Sequence, residues 1–126
     1  MLNIAAVFLG GGIGAVLRYL TGVLFVHYLK FHLPLPTFIV NVVGCFILGF
    51  VYVLCLENFQ LNPAIKLFIT VGFCGGLTTF STFSFEIFDM IQNLQYIQAA
   101  IYTVVSLIIG VLAVLLGGYL CRIFIV

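Results

Sequence analysis

Thr37-Phe-Ile-Val-Asn-Val-Val-Gly-Cys-Phe-Ile-Leu-Gly-Phe-Val-Tyr-Val-Leu-Cys-Leu56 runs for 20 residues without a charge. A helix needs about 20 predominantly apolar residues to cross the hydrocarbon core of a bilayer. Three further runs of this kind surround it. Residues 1–17 are uncharged before Arg18, and the apolar pattern resumes to Val26. Residues 67–85 form a run rich in Gly, Thr, Ser and Phe, and 99–121 form the last. The expected architecture is an all-α membrane protein with four transmembrane helices, at about 3–26, 37–57, 64–89 and 97–122. Residues 1–126 then make a single transmembrane domain, with no length left for a soluble one.

Composition supports that solvent. The chain is 65% hydrophobic and 6% charged, whereas soluble domains carry about 25% charged residues. The first charge is Arg18, beyond the first apolar run. A cleavable signal peptide opens with positive charge and ends at a small-residue site, so the segment reads as a retained span. Cys45, Cys55, Cys74 and Cys121 form no CxxC, and no His stands near one at metal-ligand spacing. They are expected to act as small buried hydrophobes. No nucleophile–His–acid set, metal cluster or phosphate loop is present, so no enzyme is expected. Both histidines, His27 and His32, fall in the first loop. A net charge of +1 gives no basis for nucleic-acid binding.

Orientation is balanced. The side holding the termini offers Lys66 and Arg122, and the opposite side offers Lys30 and Arg18. The positive-inside rule needs a bias, and two against two provides none. Insertion in both orientations, with pairing to an inverted copy, is the resulting expectation. Small residues stripe the helices at contact spacing: Gly10 and Gly14, with Arg18 one turn further on the same face, then Ser106, Gly110, Ala113 and Gly117. Such stripes let helix backbones approach closely in lipid. They serve packing within one subunit or between subunits, and spacing does not choose.

The third run carries the densest chemistry, Gly72-Phe-Cys-Gly-Gly-Leu-Thr-Thr-Phe-Ser-Thr-Phe-Ser-Phe-Glu86. Gly75 and Gly76 each weaken a helix by about 1 kcal/mol relative to Ala. Thr78, Thr79, Ser81, Thr82 and Ser84 supply hydroxyls for backbone groups that a break would free. Irregular backbone at membrane depth is tolerated only where protein or a water-filled cavity covers it. Broken helices of transporters bind Na⁺ through exposed carbonyls. A non-helical turn near 75–79 is therefore a candidate ion site; a flexible glycine pair in a packed helix is the plain alternative.

Other polar residues are few. Phe80 and Phe83 lie three apart on one face, and the edges of Phe rings are electropositive. Asn41 is the sole amide of the second span and shares a face with Thr37 and Gly44. Thr37 itself reads as the N-cap of that helix. Asn41, Ser81, Tyr102 and Ser106 offer neutral donors, suited either to joining helices or to an anion that must shed water without being trapped. Glu86 is the one carboxylate placed inside a span. Scarce intramembrane ionisable groups argue against a proton relay. Arg18 either snorkels or pairs structurally, or draws anions into a vestibule.

Gly11-Gly12-Ile-Gly14-Ala15 with Arg18-Tyr19, Asn41-Val-Val-Gly44, and Gly72-Phe-Cys-Gly75-Gly76-Leu-Thr78-Thr79-Phe80-Ser81-Thr82-Phe83 together resemble the Fluc (CrcB-type) fluoride channels. The resemblance covers the whole chain. It implies a fluoride-selective passive channel that exports cytoplasmic fluoride and lowers its toxicity. It implies an antiparallel, dual-topology homodimer with two pores, multi-pass in a bacterial inner membrane. Phe80 and Phe83 would touch fluoride through ring edges, with Asn41 an essential polar pore residue. Ser81, Thr82 and Tyr102 would line the pore, and Glu86 would lie on the outer part of a polar track. A structural Na⁺ at the dimer interface would bind the backbone carbonyls of Gly75 and Thr78. The rival is a small multidrug resistance-type proton-coupled transporter, which needs an acidic residue deep in its first span. Residues 1–17 hold none.

Overall fold

Every regular element among the described residues is helical. The computed structural model describes residues 1–29, 34–57 and 61–125. Lys30 and His32 of the expected first loop, and Asn58 just past the expected second span, lie outside them. α1 (Leu2–Leu24) widens into a π-helical turn at Phe25–Leu29. His27 thus sits on a helical extension rather than in a loop. α2 covers Leu35–Leu56. α3 comprises Pro63–Leu67, a wide π-helical stretch Phe68–Cys74, and Gly75–Leu77. α4 is Phe80–Gln92 and α5 is Tyr96–Ile125. Four segments are long and apolar enough to cross a membrane: Leu2–His27, Leu35–Leu56, Pro63–Gln92 and Tyr96–Ile125. The chain is a multi-pass membrane protein.

Local chemistry sets the ends. Pro63 occupies the first turn of α3, where a missing N–H is harmless. The Asn62 side chain before it accepts the Ala64 N–H at 2.9 Å. α2 starts two residues before Thr37, with Pro36 in its first turn. Thr37 is therefore not the N-cap expected of it. Its hydroxyl is already inside the helix and turns to another span. At the far end, Arg122 of α5 reaches Glu57 at the end of α2, Nε to Oε1 at 3.6 Å.

Two helix pairs form the body, α1 against α3 and α2 against α5. Both close through glycine. A Cβ at Gly10 would strike the Phe68 carbonyl, and one at Gly14 the Phe73 carbonyl. From the other side, a Cβ at Gly72 would meet the Val7 carbonyl and one at Gly76 the Gly11 carbonyl. Gly49 and Gly117 lock α2 and α5 in the same way, against the backbone at Val114 and Phe46. Without a hydrophobic drive between helices in lipid, such close approach supplies the association through dispersion. Gly10 and Gly14 thus pack within the subunit, as do Ala113 and Gly117, both buried. Most large apolar side chains of α1 and α5 point outward, Phe8 and Leu115 among them, as a lipid solvent requires.

The turn between α4 and α5 is strained. The Gln95 N–H donates to the Met90 carbonyl at 2.8 Å and the Leu94 N–H to Ile91 at 3.0 Å. This closure puts Leu94 at φ 60°, where a side chain costs about 1–2 kcal/mol. Leu94→Gly is expected to raise stability by roughly 0.5–1 kcal/mol, the strain relieved less the added freedom of the unfolded glycine. Gly49→Val should cost about 2 kcal/mol or more by overpacking, while Gly12→Ala, with nothing within 4 Å of the new methyl, should not. Unfolding midpoints in detergent measure all three.

Candidate functional site

The site is built where the third span leaves its helix. Thr78 (φ −78°, ψ 156°) and Thr79 (φ −152°, ψ 119°) are extended. The glycines expected to unwind are helical instead, since Gly75–Leu77 is an α-helical turn. Each extended residue is held by side chains. Thr78 donates both its N–H (2.9 Å) and its hydroxyl (2.8 Å) to the Cys74 carbonyl. Its methyl stands against Gly44, where a Cβ would collide with it. Asn41 binds the backbone of Thr79 on both sides. Its Oδ1 accepts the Thr79 N–H at 2.8 Å, and its Nδ2 donates to the Thr79 carbonyl at 3.3 Å. Thr79 is buried, so either group left unpaired would cost about 1–3 kcal/mol.

α4 then starts under a hydroxyl cap. Thr79 Oγ1 accepts the Thr82 N–H at 3.2 Å, donates to Thr82 Oγ1 at 3.0 Å, and lies 3.2 Å from Ser81 Oγ. Ser84 donates to the Phe80 carbonyl at 2.9 Å. One turn further, α4 presents Glu86 between two spans. Thr37 donates to its Oε1 at 2.6 Å, and Tyr102 to its Oε2 at 2.8 Å. Hydrogen bonds to a carboxylate are short and about twice as strong as neutral ones. This set ties α2, α4 and α5 together. Beside it, the Phe83 ring meets Tyr102 at 5.1 Å between centroids, tilted 56°, and Phe80 at 6.1 Å, tilted 41°. Phe83 is buried and Phe80 is 79% exposed, so the pair runs from core to surface.

Next to the extended residues lies a cavity of about 370 Å³, lined among others by Asn41, Cys45, Thr79, Phe80, Phe83 and Ser106. Among the described residues, no charged side chain lines it. The Ser106 hydroxyl is buried and makes no hydrogen bond of good geometry among the described residues, with the Tyr102 side chain, one turn earlier on α5, as its polar neighbour. A buried unpaired hydroxyl calls for an explanation, and a ligand entering the cavity supplies one.

The structure thus brings Asn41, Phe80, Phe83 and Ser106 together, with Ser81 and Thr82 joined to them through Thr79. Glu86 and Tyr102 form a second cluster, sharing the Phe83 ring. No α1 residue lines the cavity, so Arg18 is not brought to it. Gly75 is exposed, with nothing within 4 Å of a would-be Cβ. The roles of two residues are not evident from sequence. Thr79 is one hydroxyl among five there, though a Thr before a new helix is an N-cap signal. Thr37 stands one turn before Asn41 on the same face, but its partner on α4 is 49 positions away.

A four-span helical membrane protein with a neutral, partly aromatic intramembrane cavity is the class these features define. The profile of the family described as "CrcB-like protein, Camphor Resistance (CrcB)" matches residues 5–118. The chain belongs to that family. It is 47% identical over 122 residues to the Fluoride-specific ion channel FluC of Gloeothece citriformis, covering 97% of this chain and 98% of that one. It is 44% identical over 116 residues to the protein of the same name from Azobacteroides pseudotrichonymphae, covering 92% and 93%. The Bacteroides fragilis protein of that name is 42% identical over 123 residues, covering 95% and 96%. These three relatives are named as ion channels, and none is named as an enzyme.

The two clusters differ in what they cost to dismantle. Tyr102→Phe strands Glu86 Oε2 and is expected to destabilise by about 1.5–3 kcal/mol. Ser106→Ala removes a hydroxyl that makes no hydrogen bond of good geometry among the described residues and should stay within about 0.5 kcal/mol of the parent, or stabilise it. Chemical or thermal unfolding in detergent compares the two.

Proposed function

We propose that the protein is a passive, fluoride-selective channel that exports cytoplasmic fluoride and so lowers its toxicity. The cavity carries this reading. Fluoride must exchange its water shell for donors that hold it without trapping it. Among the described residues the lining offers an amide, hydroxyls and aromatic rings, has no fixed charge, and includes one buried hydroxyl that makes no hydrogen bond of good geometry. Ring edges of Phe80 and Phe83 add weak positive potential. In this reading Ser81, Thr82, Ser106 and Tyr102 line the route and Glu86 lies on its outer part, while Arg18 serves structure or the vestibule. The names of the relatives favour fluoride, and they do not favour a proton-coupled transporter.

The working unit in this proposal is a homodimer of antiparallel copies in a bacterial inner membrane, with two pores. Phe80 is exposed on one copy, and in this reading the inverted copy covers it. A structural Na⁺ would be held by the carbonyls of Gly75 and Thr78. The break supports it, for the Thr79 N–H donates to Asn41 and not to the Gly75 carbonyl, and Thr78 is extended. When bound, the ion supplies fixed positive charge and carries no current. Carbonyl oxygens are fitting ligands for a hard cation.

Liposomes carrying the purified protein should release fluoride down its gradient and retain chloride. Absence of fluoride flux from folded protein would sink the proposal. Phe80→Ile and Phe83→Ile should each lower flux while the dimer stays assembled on a sizing column; wild-type rates in both would remove the aromatic role. Cysteine-accessibility labelling in cells should find each loop on both sides of the membrane, and one-sided labelling would exclude the inverted pairing.

A further inference from the structure

Asn41 and Thr79 together divert two N–H groups from the carbonyls they would meet in an unbroken helix. In a continuous α-helix the Thr79 N–H would donate to the Gly75 carbonyl, and the Thr82 N–H to the Thr78 carbonyl. Here the first donates to Asn41 Oδ1 at 2.8 Å and the second to Thr79 Oγ1 at 3.2 Å. Both carbonyls lose their usual donor, and both belong to the residues proposed as sodium ligands. Neutral Asn is the side chain for this task. It presents one acceptor and one donor to the backbone of Thr79, as a neighbouring strand would. Gly44, three residues on, clears room for the Thr78 methyl, which lets α2 approach closely enough for the amide to reach.

We propose that Asn41 is a positioning residue, whose side chain holds the Thr78–Thr79 backbone extended and thereby frees the Gly75 and Thr78 carbonyls for a monovalent cation. Thr79 is its companion, doing for Thr78 what Asn41 does for Gly75. This rests on the sodium reading and gives Asn41 a task besides lining the fluoride route. Without Asn41, the Thr79 N–H is left with the Gly75 carbonyl as its acceptor, and the third span re-forms its helix through 75–82. The buried backbone groups are then satisfied internally, as lipid demands, and the cation loses its ligands.

The test reads cation binding rather than flux. The unfolding midpoint of the purified protein is measured in sodium chloride and in N-methyl-D-glucamine chloride at equal ionic strength. A ligand that binds only the folded state raises stability by mass action, so the wild type is expected to melt higher in sodium. Asn41→Ala should lose that shift. Thr79→Val, which keeps shape and removes the acceptor, should lose it also, and Thr79→Ser should restore it. The Thr79 pair decides the matter if Asn41→Ala does not fold. A wild-type shift that persists in Asn41→Ala or, failing that, in Thr79→Val overturns the positioning role. No sodium shift in the wild type overturns the sodium reading itself, and the positioning role with it.

Discussion

One carboxamide meeting one backbone unit, Asn41 with Thr79, is the constraint on which the middle of this protein depends. Lipid offers no hydrogen bonds, so a helix may stop at membrane depth only if its freed groups find partners inside the protein. Asn41 supplies both partners for Thr79, and the Thr79 hydroxyl starts the next helix. The direction of α4 then positions the side chains of both clusters. Its first turn places Phe80 outward and Phe83 inward, and its second places Glu86 between Thr37 and Tyr102. Thr37 and Asn41 lie one turn apart on α2, so a single helix face sets both clusters.

That face has to be held within a fraction of an ångström, and the glycine seams provide the rigidity. α2 and α5 touch backbone to backbone at Gly49 and Gly117, and α1 grips α3 at Gly10 and Gly14. Interiors packed this closely transmit strain and do not deform smoothly. The wide turns of Phe68–Cys74 fit the same picture. They shift the register of α3 against α1, and such π-helical segments recur at functional sites.

Much of this is legible in the residues, and the reason differs by element. The four spans follow from charge-free runs such as Thr37–Leu56, because bilayer thickness fixes helix length. Their ends are less legible. Thr37 resembles an N-cap, yet Pro36 is tolerated in a first turn and α2 begins at Leu35. The glycines draw the expected interruption to Gly75, but a glycine's low propensity is about 1 kcal/mol, less than the paired bonds that decide the conformation at Thr79. The stripes at Gly10 and Gly117 announce close packing without naming a partner, because spacing records which face is small and not what it meets. The Asn41–Thr79 and Thr37–Glu86 pairs join residues 38 and 49 positions apart. Only the folded arrangement of spans reveals those pairings.

The Ser106 hydroxyl gives the chain a divided interest. Buried without a hydrogen-bond partner among the described residues, it gives folding little that an alanine methyl would not. Selection for thermal robustness alone would erase it, along with a donor that the proposed anion route uses. A heat-hardened descendant of this sequence would therefore be a poor guide to its parent's conduction.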